Sequence, residues 1–242
     1  MNRSSFSPIC RSLTIAMLAI QACTILPPRQ DTSRFFILTP TAASALAPYV
    51  SGDHQISVGV GPVRFPGYLK RPEMVTRIDA DRIQLSAENR WAEPLDSNFQ
   101  RVLAQDLAQS LGTERVVLFP WFGEPKIDYQ VEVQVHRFDA DQQGQSALSA
   151  NWSIKDGHSG AILFATETTT TSATAGQNAD ESPALSLDVE KFAGQIAEQI
   201  IRLNQTRTNM GASASSPGAG AGRPELARPE FPAACSTRRS SE

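Results

Sequence analysis

Between Ile127 and His136 the chain alternates without a break, with Ile127, Tyr129, Val131, Val133 and Val135 set against Asp128, Gln130, Glu132, Gln134 and His136. Successive side chains of a strand point to opposite faces, so this stretch predicts a strand with one apolar and one polar face. Such a strand needs partners on its edges and a cover over its apolar side. The partners follow it in sequence. Leu148, Ala150, Trp152 and Ile154 alternate in a second strand, and Ala161 to Thr170 reads as a third. Turns at Asp139–Gly144 and Asp156-Gly157 make the three an antiparallel meander.

Two helical patterns can supply the cover. Leu95, Phe99, Val102, Leu103, Leu107 and Leu111 recur at helical spacing, with Asp96 or Ser97 as the expected N-cap and Gly112 as the stop. Val189, Phe192, Ile196, Ile200 and Leu203 form a second apolar stripe, in a helix starting near Ser182–Ser186. Short strands are expected at 35–38, 55–63 and 116–119, with a hairpin from 74–79 and 82–86. The Thr- and Ala-rich residues 168–181 read as a loop. The fold class expected is therefore α/β: a mixed, largely antiparallel sheet with two main helices packed on it. Gly59-Val60-Gly61-Pro62 is no phosphate loop. It lacks a third glycine and a following helix, and Pro62 removes an N–H. A core strand with close backbone approach explains it.

The two ends differ from this middle. Arg3 and Arg11 are the only charges before residue 29, and an apolar run from Leu13 to Ala22 follows them. A positive start and about ten apolar residues read as a secretory signal rather than a membrane span. The run closes on Ile20-Gln21-Ala22-Cys23, which resembles the lipobox of bacterial lipoproteins. That resemblance implies acylation of Cys23 as the mature N-terminus, and Thr24 after it implies the outer membrane. Cleavage by ordinary signal peptidase is the other reading. At the far end, Gly, Ala, Ser and Pro make up 21 of residues 211–242, too little apolar content to offset the entropy of ordering. The organisation expected is a signal peptide at 1–22, a tether at 23–34, the α/β domain at 35–205 and a disordered tail at 206–242.

Composition removes several function classes. Removing residues 1–22 takes away two arginines and no acid, so the net charge moves from −3 to −5. Neither a nucleic acid nor an anionic membrane surface suits so acidic a body, and an anchor must hold it to a membrane. Cys10, Cys23 and Cys235 cannot form a disulfide framework once the first is removed and the second acylated. His54, His136 and His158 have no metal-ligand spacing, and no Gly-x-Ser-x-Gly, Ser-x-x-Lys or His-Glu-x-x-His occurs. No metal, cofactor or catalytic residue is expected.

Two words remain. Pro66-Gly67-Tyr68-Leu69-Lys70-Arg71-Pro72 is followed by Val75-Thr76-Arg77, and Arg90-Trp91-Ala92-Glu93-Pro94-Leu95 leads into the first helix. With Val60-Gly61-Pro62-Val63 before them and the strands around 131–138 and 150–154 after them, they resemble the PqiC-type auxiliary lipoproteins of ABC-type transport systems. The likeness runs from about Arg34 to Leu203, although Lys70 stands where an acidic residue is common and the tail lies outside the pattern. It implies a fold similar to the small domain at the front of TolB proteins. It also implies a non-catalytic part in lipid transport across the envelope, beside an MCE-domain partner, with homo-oligomers possible. A structural envelope lipoprotein supporting secretion or cell-wall attachment, and a periplasmic hydrolase with an unrecognised site, are the competing readings.

The candidate partner-binding residues are Tyr68, Leu69, Arg71 and Trp91. A Pro-bounded loop presenting an aromatic, an aliphatic and two cations suits contact with a protein or lipid headgroup. Equally, the loop can pack back on the sheet with its cations solvated, and Trp91 can be buried core.

Overall fold

The computed structural model describes residues 30–41, 55–123, 125–174 and 180–214. Packing divides the chain into two units, Met1–Ile201 and Arg202–Glu242. The sheet belongs to the first.

The alternating stretch is the centre of that sheet. Strand β6 (Tyr129–Asp141) runs antiparallel to β7 (Gln145–Asp156) over eleven residue pairs, and β7 runs antiparallel to β8 (Ile162–Ala173) over eleven more. The other edge of β6 is shared by two strands, both parallel to it. Its first half takes β2 (Val58–Arg64), and Ala140 and Asp141 take the end of β3 (Glu73–Arg77). Outside β2 lies β5 (Val116–Leu118), parallel to it. Outside β3 lies its hairpin partner β4 (Ile83–Trp91), and β1 (Arg34–Phe36) pairs in parallel with the end of β4. The result is an eight-stranded mixed sheet whose longest ladders are antiparallel.

Two details keep the apolar face continuous. The β6–β7 register shifts between Val135 and Arg137, a bulge that puts Phe138 and Ala140 on the buried side after Tyr129, Val131, Val133 and Val135. On β2 the glycines allow close cover on one side. A Cβ on Gly59 would lie 2.9 Å from both Trp121 and Ile127, and one on Gly61 would lie 2.7 Å from the Phe119 Cβ.

Helix α1 (Leu95–Leu111) packs on the sheet through Phe99, Val102, Leu103 and Leu107, and Gly112 ends it at φ 60°. Helix α2 (Ser182–Ala214) adds Leu185, Val189, Phe192, Ile196 and Ile200. Phe99 meets Phe65 and Phe138 edge-on at 5.3 and 5.5 Å, and Phe192 meets Trp152 edge-on at 6.1 Å, so one aromatic cluster joins both helices to the sheet.

Buried polar groups fix how the helices sit. Asp188 of α2 accepts hydrogen bonds from the Ser146 and Ser172 hydroxyls at 2.6 and 2.7 Å, and burial pushes its carboxyl above the usual range. The segment from Ile37 to Thr41, beyond β1, is bonded by side chains of both helices. The Leu38 N–H donates to Asn98 at 2.6 Å and the Thr41 N–H to Asp106 at 3.2 Å, both on α1. From α2, Ser186 accepts from the Thr39 N–H, and Ser182 donates to the Ile37 carbonyl at 2.7 Å. Asp106 has no exposed surface; burial pushes its carboxyl to about 7, Glu190 adds repulsion, and its Oδ2 has no partner.

Several boundaries move from expectation. Residues 168–173 are not loop but the end of β8, paired with β7 as far as Ala173, because Thr170 and Ser172 bury hydroxyls bonded to Asp188. Helix α1 begins two or three residues earlier than a cap at Asp96 or Ser97 predicts. Pro94 is its N-cap and no side chain caps it. Strand β4 reaches Trp91, and α2 runs to Ala214, past Leu203, the last residue of the expected stripe. Phe122 is 98% exposed. Cys23, most of the tether and residues 215–242 lie outside the described residues.

Candidate functional site

The two words singled out in the sequence meet at one corner. After β2, Phe65 is buried and Gly67–Leu69 form a single 3₁₀ turn, with N–H groups of Leu69 and Lys70 donating to the carbonyls of Pro66 and Gly67. The turn drives Leu69 into the core, where 2% of it is exposed, and leaves Lys70 outside. The chain then returns to the sheet. The Trp91 N–H at the end of β4 donates to the Pro72 carbonyl at 2.7 Å, and the Ala92 N–H donates to the Phe36 carbonyl at 2.9 Å. These bonds stitch the loop, β1 and β4 together just before Pro94 turns the chain into α1.

Between the loop and the start of α1 lies an open hollow of about 360 Å³, walled by Lys70, Arg71, Pro72, Trp91, Pro94 and Leu95. Glu93 and Asp96 also border it, and of the two only Glu93 is ion-paired. Glu93 pairs with Arg101, and Asp96 accepts the Ser97 N–H at 2.8 Å. The cations are not engaged. Among the described residues neither Lys70 nor Arg71 has an ion-pair partner, and the Arg71 Nε is buried without an acceptor.

Behind the loop stands a buried charge cluster. Asp139 of β6, with its side chain fully enclosed, receives both ends of the Arg77 guanidinium at 3.1 and 2.8 Å and the Arg137 Nε at 2.8 Å. The Tyr68 hydroxyl donates to Asp139 and to the His136 carbonyl, both at 3.3 Å. Burial, then the Asp139 charge, pushes the Tyr68 phenol above its ordinary value, and the hydrogen bond to Asp139 raises the Arg77 guanidinium further. A carboxylate held by two arginines fixes the rear of the loop, and the loop fixes the hollow.

Of the four residues expected to bind a partner, Arg71 and Trp91 share the hollow. Leu69 is core, and Tyr68 is half-buried and tied to Asp139. Trp91 is 7% exposed, so it offers an edge rather than a face. Sequence reading passed over Asp139, Arg77 and Arg137. The one available signal was the Arg137-Phe138-Asp139 spacing, an acid two residues from a base in a strand otherwise closing on apolar residues. Among the described residues no group of His, Cys, Asp and Glu could hold a metal ion, and no helix is long and apolar enough to cross a membrane.

This arrangement of a mixed sheet carrying two helices is shared by solved structures of other proteins. A Xanthomonas campestris protein of the DUF330 family shares it, with 13% identity and a TM-score of 0.56 over 73% of this chain and 99% of that one. So does a solved structure described only as an uncharacterized protein, with 19% identity and a TM-score of 0.56 over 69% and 98%. No curated protein sequence matches. Residues 36–197 match the ABC-type transport auxiliary lipoprotein component family, and the chain belongs to that family. It is thus an auxiliary lipoprotein component of an ABC-type transport system.

Proposed function

We propose that this protein is the accessory lipoprotein of an MCE-type lipid transport system. Acylated at Cys23, it sits on the periplasmic face of the outer membrane and docks an MCE-domain partner through the corner built by Tyr68, Leu69, Arg71 and Trp91. Membership in the transport-auxiliary family supports the transport role. The observation that carries the docking site is the convergence of the two words on one hollow, where Glu93 is paired with Arg101 and the cations Lys70 and Arg71 have no ion-pair partner among the described residues. Tyr68 and Leu69 serve from behind, holding the loop that presents Arg71 and Lys70.

The test is crosslinking and affinity capture of the tagged protein from a Gram-negative host, with partners identified by mass spectrometry. Wild type should capture an MCE-domain protein. Cys23→Ala should lose the capture along with the membrane fraction, and Arg71→Ala should weaken it in a protein that stays anchored. Capture of only cell-wall or secretion components would reject the reading.

A further inference from the structure

The hollow at Lys70–Pro72 and Trp91–Asp96 has a chemistry of its own. A cation that is partly buried costs free energy unless an anion faces it. Here Glu93 on the rim is paired with Arg101, and Asp96 gives one oxygen to the Ser97 N–H and keeps its charge, while the two cations Lys70 and Arg71 border the space with no acceptor among the described residues and leave the lining net positive. Arg71 is half-buried with its Nε enclosed, so its guanidinium is held by its surroundings rather than waving in solvent. The remaining walls are apolar or planar: Pro72, Trp91, Pro94 and Leu95. A volume of about 360 Å³ lies within the range of small-molecule sites.

We infer that this hollow binds the phosphate of a phospholipid headgroup, with Arg71 as the forked donor, Lys70 as the second cation, and Trp91, Pro72 and Leu95 against the glycerol. A forked guanidinium matches two phosphate oxygens, and an apolar wall beside it distinguishes a lipid from a free ion. The lipid rests on the transport reading above; the phosphate rests on the hollow alone. A net acidic body gives anionic lipid no general attraction, so binding depends on these two side chains.

The experiment is calorimetric titration of the full chain, kept unacylated by Cys23→Ser, with dihexanoyl phosphatidylglycerol below its micelle-forming concentration. Inorganic phosphate and dihexanoylglycerol are titrated alongside. Saturable binding of the phospholipid is expected, weakening with salt and competed by excess inorganic phosphate. Arg71→Gln should weaken it at least about tenfold, Lys70→Gln less, and Arg71→Lys should retain part of it. Arg115→Gln, outside the hollow, should leave it unchanged. The Arg71 Nε makes no bond among the described residues, so Arg71→Gln should not lower the thermal midpoint.

Absence of saturable binding overturns the inference, as does equal binding by Arg71→Gln. Equal binding of dihexanoylglycerol removes the phosphate, and equal binding of inorganic phosphate removes the lipid. Loss of MCE-partner capture in Arg71→Gln without any lipid binding would overturn this inference and leave the transport reading standing. Lipid binding without MCE capture would do the reverse.

Discussion

Replacing Asp106 by Asn should flatten the pH dependence of folding stability. The Asp106 carboxyl is enclosed on α1, gives one oxygen to the Thr41 N–H and leaves the other without a partner. Burial, with Glu190 of α2 as the charged neighbour, raises it from 3.8 to about 7. Between those values the folded chain holds a proton that the unfolded chain has released. Stability therefore falls as pH rises through this window and levels off above it. From pH 5 to pH 8 the loss attributable to this group is roughly 2–3 kcal/mol, which is a midpoint shift of about 5–10 °C for a domain of this size. Asn keeps the acceptor for Thr41 and cannot ionise. Urea unfolding of wild type and Asp106→Asn, followed by tryptophan fluorescence at pH 5, 6, 7 and 8, gives the difference directly. Contributions of Glu181 and Asp188, both raised by burial, cancel in that difference. Glu190→Gln should recover only a small part, because burial is the larger cause. Two parallel curves, separated by a constant within about 0.5 kcal/mol, would refute the reasoning.

Three further outcomes follow from the same packing. Asp139→Ala should cost about 3–5 kcal/mol in urea unfolding, since it strands Arg77 and Arg137 beside a closed site; a loss below about 1 kcal/mol would place the cluster among weak surface pairs. Gly157→Ala should destabilise by about 1–3 kcal/mol or more, because its Cβ would lie 2.0 Å from the Ile127 carbonyl oxygen, while Gly67→Ala, with open space around it, should stay within about 0.5 kcal/mol of wild type by thermal melting. Asp188→Ala should cost about 2–4 kcal/mol, and amide hydrogen exchange should rise first along β8, where Ser172 loses its acceptor.

Periodicity carried most of the fold. The alternation from Ile127 to Val135 became the central strand, and both apolar stripes became the helices over it. What periodicity missed has a common cause: tertiary partners that a single segment does not carry. Thr168 to Ala173 read as loop because threonines with small residues resemble linkers, yet a β-branched residue favours a strand once β7 lies alongside. The continuation of β6 past Val135 was hidden by the bulge, which breaks the period of two just where Phe138 rejoins the core. Pro94 begins α1 without the side-chain cap that Asp96 or Ser97 suggested. At the candidate site the sequence distinguished the two words but not their relation. Leu69 and Lys70 are adjacent, and only the 3₁₀ turn decides that one is core and the other faces the hollow. Asn98, Asp106, Ser182 and Ser186 carry no local sign of their role, because their partner is the backbone of residues 37–41, more than fifty positions upstream of the nearest.

That segment has a mechanical meaning. A membrane anchor at Cys23 would deliver its tension to the folded body at Arg34, the first residue of β1. The strand there is three residues long and would hold poorly by itself. Immediately behind it, the bonds from Leu38 to Asn98, Thr39 to Ser186, and Thr41 to Asp106 divide the load between two helices. Tension along the tether would thus be borne as shear across several bonds in parallel rather than as peeling of one strand. The protein's attachment point would be a rivet set through both helices, able to transmit the drag of a moving partner to the membrane without unravelling the sheet.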